Sequence, residues 1–269
     1  MNKVLFREFT ETSSNVFPLE LDLLARHDMY FENRAADTPE LIELAHALRY
    51  QVYVTERKFE DADQHIGGLE MDEFDDHSAH GLLFHRPTGD AIGTVRLIQP
   101  VKGKEDGNLP IGGLLKENNL DLRDYVDVQK TVEISRFAIS KSFRRRVGDD
   151  SGEAGARLSK QERISRGNLP CLSLIQFLLR QSAENGVKFW TAVMEEKLLR
   201  MLAGMGIHFT SVGPMVSHHG LRQPSYLYVP EMLERCKAEQ REYWNVLTNH
   251  GELADKVNYT TGNRKALAC

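Results

Sequence analysis

The chain has 269 residues, 41% of them hydrophobic, 27% charged and 20 of them glycine, which suits a globular protein with a sizeable core and rules out a peptide hormone, a small disulfide knot or a wholly disordered chain. Lys+Arg 34 against Asp+Glu 39 leaves a net charge of −5, so the whole chain is not a generic polyanion binder and nucleic acid is not an expected partner. Cys171, Cys236 and Cys269 are odd in number and form no CxxC pattern, the N-terminus lacks a signal-peptide pattern, and no apolar run approaches the roughly 18 residues that span a bilayer; the expectation is a cytoplasmic protein without disulfides, structural zinc or a transmembrane segment.

Residues 1–27 read as an N-terminal arm, 28–247 as the main domain and 248–269 as a frayed polar tail. Met29-Tyr30-Phe31 reads as a first strand. Thr38-Pro39 pairs a cap residue with proline at the first helical position, and Leu41, Leu44, Ala45, Leu48 and Val52 recur at helical spacing, predicting an amphipathic helix from Pro39 to about Val54. Asp61 to His77 is acidic and turn-rich around Gly67-Gly68 and reads as a loop. Apolar runs at 81–85 and 91–98 flank Arg86-Pro87-Thr88-Gly89, the pattern of a hairpin. A glycine-rich stretch and a short helix at Leu114 to Asn118 precede Thr131 to Ile139, which alternates with the period of a half-buried strand.

From Lys141 to Gly167 the apolar pattern disappears and the stretch, including Arg144, Arg145 and Arg146, carries a net +4, reading as a basic loop insertion. Then come a helix (Pro170 to Glu184), a strand (Val187 to Val193), a helix (Glu195 to Ala203), strands at 207–212 and 225–229, and a terminal helix from Glu231 to Leu247. One α/β domain with a mixed sheet accounts for this order.

Four clusters carry the functional signal: Arg49-x3-Tyr53-x5-Phe59, Glu70-x-Asp72-x2-Asp75, Gly93-Thr94-Val95-Arg96-Leu97 and Glu133-x-Ser135-Arg136-Phe137. Their order and spacing resembles the acyl-homoserine lactone synthases, a branch of the GNAT acyltransferase fold, over about Arg49 to Phe137. The segment Gly213-Pro214-Met215-Val216-Ser217-His218-His219-Gly220-Leu221-Arg222-Gln223-Pro224 extends the resemblance to the acyltransferases associated with the PEP-CTERM/exosortase sorting system, and a long-chain N-acyl amino acid synthase is a third relative. Phe59 stands where the lactone synthases typically carry tryptophan.

The resemblance implies a GNAT-like fold whose mixed sheet splays between the 131–139 strand and the 187–193 strand. It implies a cleft lined by Arg49, Tyr53, Phe59, Glu70, Asp72, Asp75, Arg96, Phe137 and Trp190, with Glu133 and Arg136 as the catalytic pair. No metal and no tightly bound cofactor are implied; the co-substrate is an acyl-phosphopantetheine thioester on an acyl carrier protein or CoA, and the acceptor is a small amine. Asp149-Asp150 would repel the CoA diphosphate at a helix entry, which favours the carrier protein, and Arg144, Arg145 and Arg146 supply charge for an acidic carrier.

Acyl transfer to an amine needs a proton acceptor and donors aimed at the oxyanion. Glu133 is the candidate base. By strand alternation Glu133, Ser135 and Phe137 share one face and Arg136 the other, where Arg136 would organise Asp72 or Asp75. Arg49 and Arg96 compete for the same acidic loop, so three arginines and three carboxylates are expected in one network. His77, His80 and His85 fit no standard ligand set, His218-His219 reads as a turn, and Cys171 as a packed thiol. Two rival readings are a lactone synthase using S-adenosylmethionine and a non-catalytic module that binds an acyl carrier or a lipid.

Overall fold

In the computed structural model, residues 22–141, 143, 160–217 and 220–259 are described. Asp22 caps α1 (Leu23–Tyr30) by accepting the Ala25 N–H at 2.7 Å. Leu23, Leu24, His27 and Tyr30 form its buried face, and this helical periodicity overrides the three-residue strand expected at Met29–Phe31. β1 instead spans Phe31–Ala35. The Thr38 hydroxyl accepts the Leu41 N–H and Pro39 opens α2 (Pro39–Tyr50), which passes into a π-helical turn over Gln51–Glu56 where a plain α-helix was expected to Val54.

The hairpin is formed by β2 (Ser78–His85) and β3 (Asp90–Ile98). α3 spans Pro110–Glu117, one turn earlier than expected, with Pro110 at its start, and β4 spans Thr131–Ile139. α4 (Lys160–Asn185) takes the last residues of the expected basic loop and holds Pro170 inside it, where the sequence pattern had placed the helix start. β5 (Phe189–Met194), α5 (Glu196–Gly204), β6 (Thr210–Ser211), β7 (Val216–Ser217) and β8 (Leu221–Tyr228) follow.

The terminal helix expected over 231–247 is two helices, α6 (Val229–Glu239) and α7 (Arg241–Thr248), broken at Gln240, whose φ of −143° and ψ of 65° are not helical. The frayed tail is in part α8 (Glu252–Tyr259), which buries Leu253, Ala254 and Val257. Arg144, Arg145, Arg146, His218, His219, Cys269 and most of the N-terminal arm lie outside the described residues.

The sheet runs β1-β2-β3-β4-β5-β8-β6, with β7 paired to the start of β8. β1 to β4 form an antiparallel meander and β5, β8 and β6 an antiparallel group. The two groups meet in one parallel junction of three pairs, Thr131↔Phe189, Val132↔Trp190 and Glu133↔Thr191. Beyond Glu133, β4 continues to Ile139 and β5 to Met194 without pairing to each other, so the sheet forks there.

α4 lies under the sheet in the main core with Leu172, Phe177, Trp190, Leu227, Leu233 and Trp244. α2 covers β2 and β3 on the other face through Ala45, Leu48, Leu82 and Phe84, and the 99–130 segment adds a small core of Ile98, Leu109, Ile111, Leu115, Leu122 and Val128. Among the described residues no helix is long and apolar enough to cross a membrane.

Two glycines give a test of this packing with opposite signs. A Cβ at Gly81 on β2 would lie 2.5 Å from the Phe177 ring of α4, whereas a Cβ at Gly113 in α3 meets nothing within 4 Å. Gly81→Ala is expected to cost roughly 1–3 kcal/mol by overpacking. Gly113→Ala is expected to gain about 0.5–1 kcal/mol from helix propensity. Urea midpoints of the two variants, moving in opposite directions, check both.

Candidate active site

α2 delivers Arg49 into the space between the 61–77 loop and the sheet, and β3 and β4 deliver Arg96 and Arg136 to the same place. Arg49 Nε donates to Glu70 Oε2 at 2.5 Å and its Nη1 to Asp75 Oδ1 at 2.6 Å. Arg96 Nη1 donates to Asp75 Oδ1 at 2.7 Å, and its Nη1 and Nη2 grip Asp72 at 2.5 and 2.9 Å. Arg136 Nη2 donates to Asp72 at 3.1 Å and to Glu70 at 2.8 Å. The six side chains therefore close into a ring in which arginine and carboxylate alternate.

The ring is largely removed from water: Arg49, Arg96 and Glu70 are 0%, 1% and 1% exposed. Burial alone would raise the carboxyl pKa values, but hydrogen bonds from Arg136 and Arg49 outweigh it and hold Glu70 at about 2, and bonds from Arg49 and Arg96 hold Asp75 well below the usual carboxylate range. Local bonds pre-shape the loop: Asp75 Oδ2 accepts the Asp72 N–H, Asp72 Oδ1 accepts the Phe74 N–H, and the His46 carbonyl accepts the Glu70 N–H.

Strand alternation does not hold across this part of β4. Between the pairs Thr94↔Ala138 and Arg96↔Ser135 two β4 residues face one β3 residue, and Arg136 occupies the left-handed region at φ +49°. This bulge turns Arg136 onto the face of Ser135, whose hydroxyl accepts Arg96 Nε at 2.9 Å, instead of the opposite face. It also turns the Phe137 side chain into the main core, so Phe137 reaches the site through its carbonyl, 3.5 Å from the Tyr53 hydroxyl. Arg136 stacks over the Tyr53 ring at 5.4 Å, and Tyr53 neighbours Phe59 at 6.5 Å. The Arg136 guanidinium donates to both Glu70 and Asp72.

Trp190 is corrected as well. It projects into the main core, 1% exposed, with its indole N–H bonded to the Ser182 hydroxyl of α4 at 2.7 Å, because its position on β5 faces away from the ring.

Glu133 stands apart from the ring, on the last residue of the parallel junction. Its Oε2 accepts the Ile111 N–H at the start of α3 (2.8 Å), amid the small core, and among the described residues its other oxygen has no hydrogen-bond partner. Burial pushes this carboxyl up to about 7, against the opposing pull of the Ile111 amide and the Arg96 charge.

His46 and His80, which the sequence reading passed over or left as loop residues, are buried beside Asp75 at 3.9 and 3.6 Å. The three donor atoms lie within 4.8 Å of one another. Both Asp75 oxygens already accept arginine donors, and two guanidiniums crowd the space a cation would enter, so the donor set does not fit a metal. Burial holds His80 down to about 4 and His46 below its usual range, leaving a neutral pair packed on the ring. Arg57, Glu195 and Arg222 also gather beside Phe59 unanticipated: Arg57 lies inside the first cluster and Arg222 inside the 213–224 segment, two positions where a charge beside a motif aromatic or turn was the available signal.

Residues 48–151 match the family model of the acetyltransferase (GNAT) domain. The chain is similar to the acyl-homoserine lactone synthase LasI, with a TM-score of 0.50 and 20% identity over 74% of this chain and 89% of that one. It is similar to FeeM, an N-acyl amino acid synthase from uncultured soil microbes, with a TM-score of 0.50 and 18% identity over 78% and 97%. It is also similar to BjaI, a CoA-dependent acyl-homoserine lactone synthase solved with SAM and isopentyl-CoA, with a TM-score of 0.51 and 16% identity over 86% and 98%. No curated protein matches. The mixed, forked sheet is thus a GNAT-type fold, and residues 48–151 within it match the model of an acetyltransferase domain of that type.

Two stability profiles follow from the carboxyl environments. Glu70 is held below its ordinary 4.5, so its stabilising contribution is complete above pH 4.5 and lost as pH falls toward about 2. Arg49→Met leaves Glu70 and Asp75 short of a partner; a loss of about 3–5 kcal/mol at pH 7, shrinking as the carboxylates protonate, is expected in urea unfolding between pH 7 and 3. Glu133 behaves oppositely: the folded chain keeps a proton that the unfolded chain releases between pH 4.5 and about 7, so this residue lowers stability as pH rises through that window. Glu133→Gln should match the parent below pH 4.5 and exceed it at pH 8.

Proposed function

We propose that the protein is an N-acyltransferase that moves a fatty acyl group from the phosphopantetheine thioester of an acyl carrier protein, or of CoA, to a small amine. The observation that carries this reading is the end of the β4–β5 ladder at Glu133, where unpaired strand edges meet a carboxyl that titrates near neutrality. A thioester lying along the fork finds backbone donors for its carbonyl and pantetheine amides, and Glu133 supplies a base matched to physiological pH. One proton of the acceptor ammonium passes to Glu133. The free amine attacks the thioester carbon, the C–N bond forms, the C–S bond breaks, and the second proton leaves the nitrogen to end on the departing sulfur.

The ring holds the 61–77 loop and Tyr53 against the cleft and so shapes the amine side of the site, with Phe59 beside it. Arg144, Arg145 and Arg146 suit an acidic carrier by charge, and Asp149 and Asp150 disfavour the CoA diphosphate. The likeness of the 213–224 segment supports a kinship with the sorting-system-associated acyltransferases.

A second reading, a lactone synthase, draws on the structural likeness to BjaI solved with SAM. Incubation with an acyl carrier thioester and labelled S-adenosylmethionine separates the two, since only the synthase yields a lactone and methylthioadenosine. Amine-dependent release of free carrier thiol separates both from a binding module. In that assay kcat/KM is expected to rise with pH through about 7 and Glu133→Gln to lower kcat by about 10²–10⁴-fold. A flat pH profile with an unaffected variant would remove Glu133 from the mechanism.

A further inference from the structure

Two histidines stand behind the ring, each beside one of its arginines. His46 precedes Arg49 by three residues on α2 and so lies on the same side of that helix. His80 on β2 is the direct cross-strand partner of Arg96 on β3. The two imidazoles meet edge to face at 5.3 Å and are 7% and 5% exposed.

Both face Asp75, with His46 Nε2 3.9 Å from its Oδ2 and His80 Nε2 3.6 Å from its Oδ1. Neither distance is a hydrogen bond. The acceptor positions of Asp75 are already taken: Oδ1 accepts Arg49 Nη1 and Arg96 Nη1, and Oδ2 accepts Arg49 Nη2 and the Asp72 N–H. Among the described residues, His46 Nε2 and His80 Nδ1 are buried without a hydrogen-bond partner.

A neutral imidazole carries one N–H, whereas an imidazolium carries two and a full positive charge. Here that charge would arise beside Arg49 and Arg96, and the new N–H could reach Asp75 only by displacing an arginine or the Asp72 amide. Those are the bonds that seat the 61–77 loop. We infer that His46 and His80 form an acid-sensitive catch for this loop: a proton taken up by either ring unseats Asp75 and loosens the loop on α2 and β3. The inference does not depend on the acyl-transfer reading.

The groups facing the pair fix the direction. Burial, with the charges of Arg49 and Arg96 and, at His80, of His46, keeps both rings neutral; Asp75 opposes this at both and Glu70 at His46. His80 is thereby held down to about 4, against the ordinary 6.5 that it regains in a released loop. A depressed imidazole favours the seated loop fully above pH 6.5, and that preference is lost as pH falls toward about 4. Glu70 regains its ordinary 4.5 on release, so the interval from pH 7 to 5 isolates the histidines within this cluster. Glu133 titrates in the same interval with the opposite sign, and it favours the whole fold as pH falls, so it cannot imitate a local release.

Amide hydrogen exchange of the full chain reads the loop at Glu70, Asp72 and Phe74, whose N–H groups bond to the His46 carbonyl, Asp75 and Asp72. Expressed as protection factors, which remove the intrinsic pH dependence of exchange, protection there is expected to fall about tenfold or more from pH 7 to 5. The amides of α4 should not follow. Replacing both rings, His46→Gln with His80→Gln, should make loop protection independent of pH over that interval. Flat protection in the parent, or a fall that the double variant retains, would overturn the inference. If the double variant does not fold, imidazole NMR of the parent decides: a ring that titrates below pH 6 in step with the loop signals supports the catch. Imidazoles that all titrate independently of the loop overturn it.

Discussion

Three guanidiniums and three carboxylates largely removed from water impose the strictest condition on this molecule. A buried ion pair recovers its desolvation cost only when every donor and acceptor is met, and breaking it leaves an uncompensated charge. Here each arginine bridges two carboxylates and each carboxylate two arginines, so no member can leave without exposing two others. The ring therefore decides where the end of α2 points, how the 61–77 loop lies on β3 and β4, and why β4 tolerates a left-handed arginine at its bulge. Backbone strain of this kind persists only where the surroundings over-determine it.

Glu133 belongs to the opposite electrostatic regime. The ring offers its carboxylates two cations each and keeps them ionised, whereas Glu133 meets one backbone amide within an apolar cluster and keeps its proton to near neutrality. Environments that push carboxyl groups apart in this way give carboxyls of one fold different protonation states at the same pH. The separation is built by secondary structure: Glu133 ends the parallel junction and faces the start of α3, while the ring sits further along the forked half of β4.

Much of this was legible in the sequence because charges in otherwise apolar strands and in a turn-rich loop are conspicuous. Arg49, Glu70, Asp72, Asp75, Arg96 and Arg136 could be named as one set without coordinates because their order and spacing resemble those of the lactone synthases and a buried arginine needs acidic partners. Alternation misplaced Arg136 and Phe137 because a bulge is one residue of backbone geometry and leaves no mark in composition. Trp190 was misassigned because either face of β5 can hold an aromatic. The break at Gln240 and the docking of α8 depend on contacts with α4 and α6, and Arg222 meets Glu195 only through the pairing of β5 with β8.

The sheet is sewn across its middle by only three parallel pairs. Past that seam, two wings carry strand edges whose peptide groups have no counterpart across the gap, an open hinge in an otherwise continuous fabric. An extended guest with amides of its own would supply the missing stitches and, in filling the gap, stiffen the body that holds it.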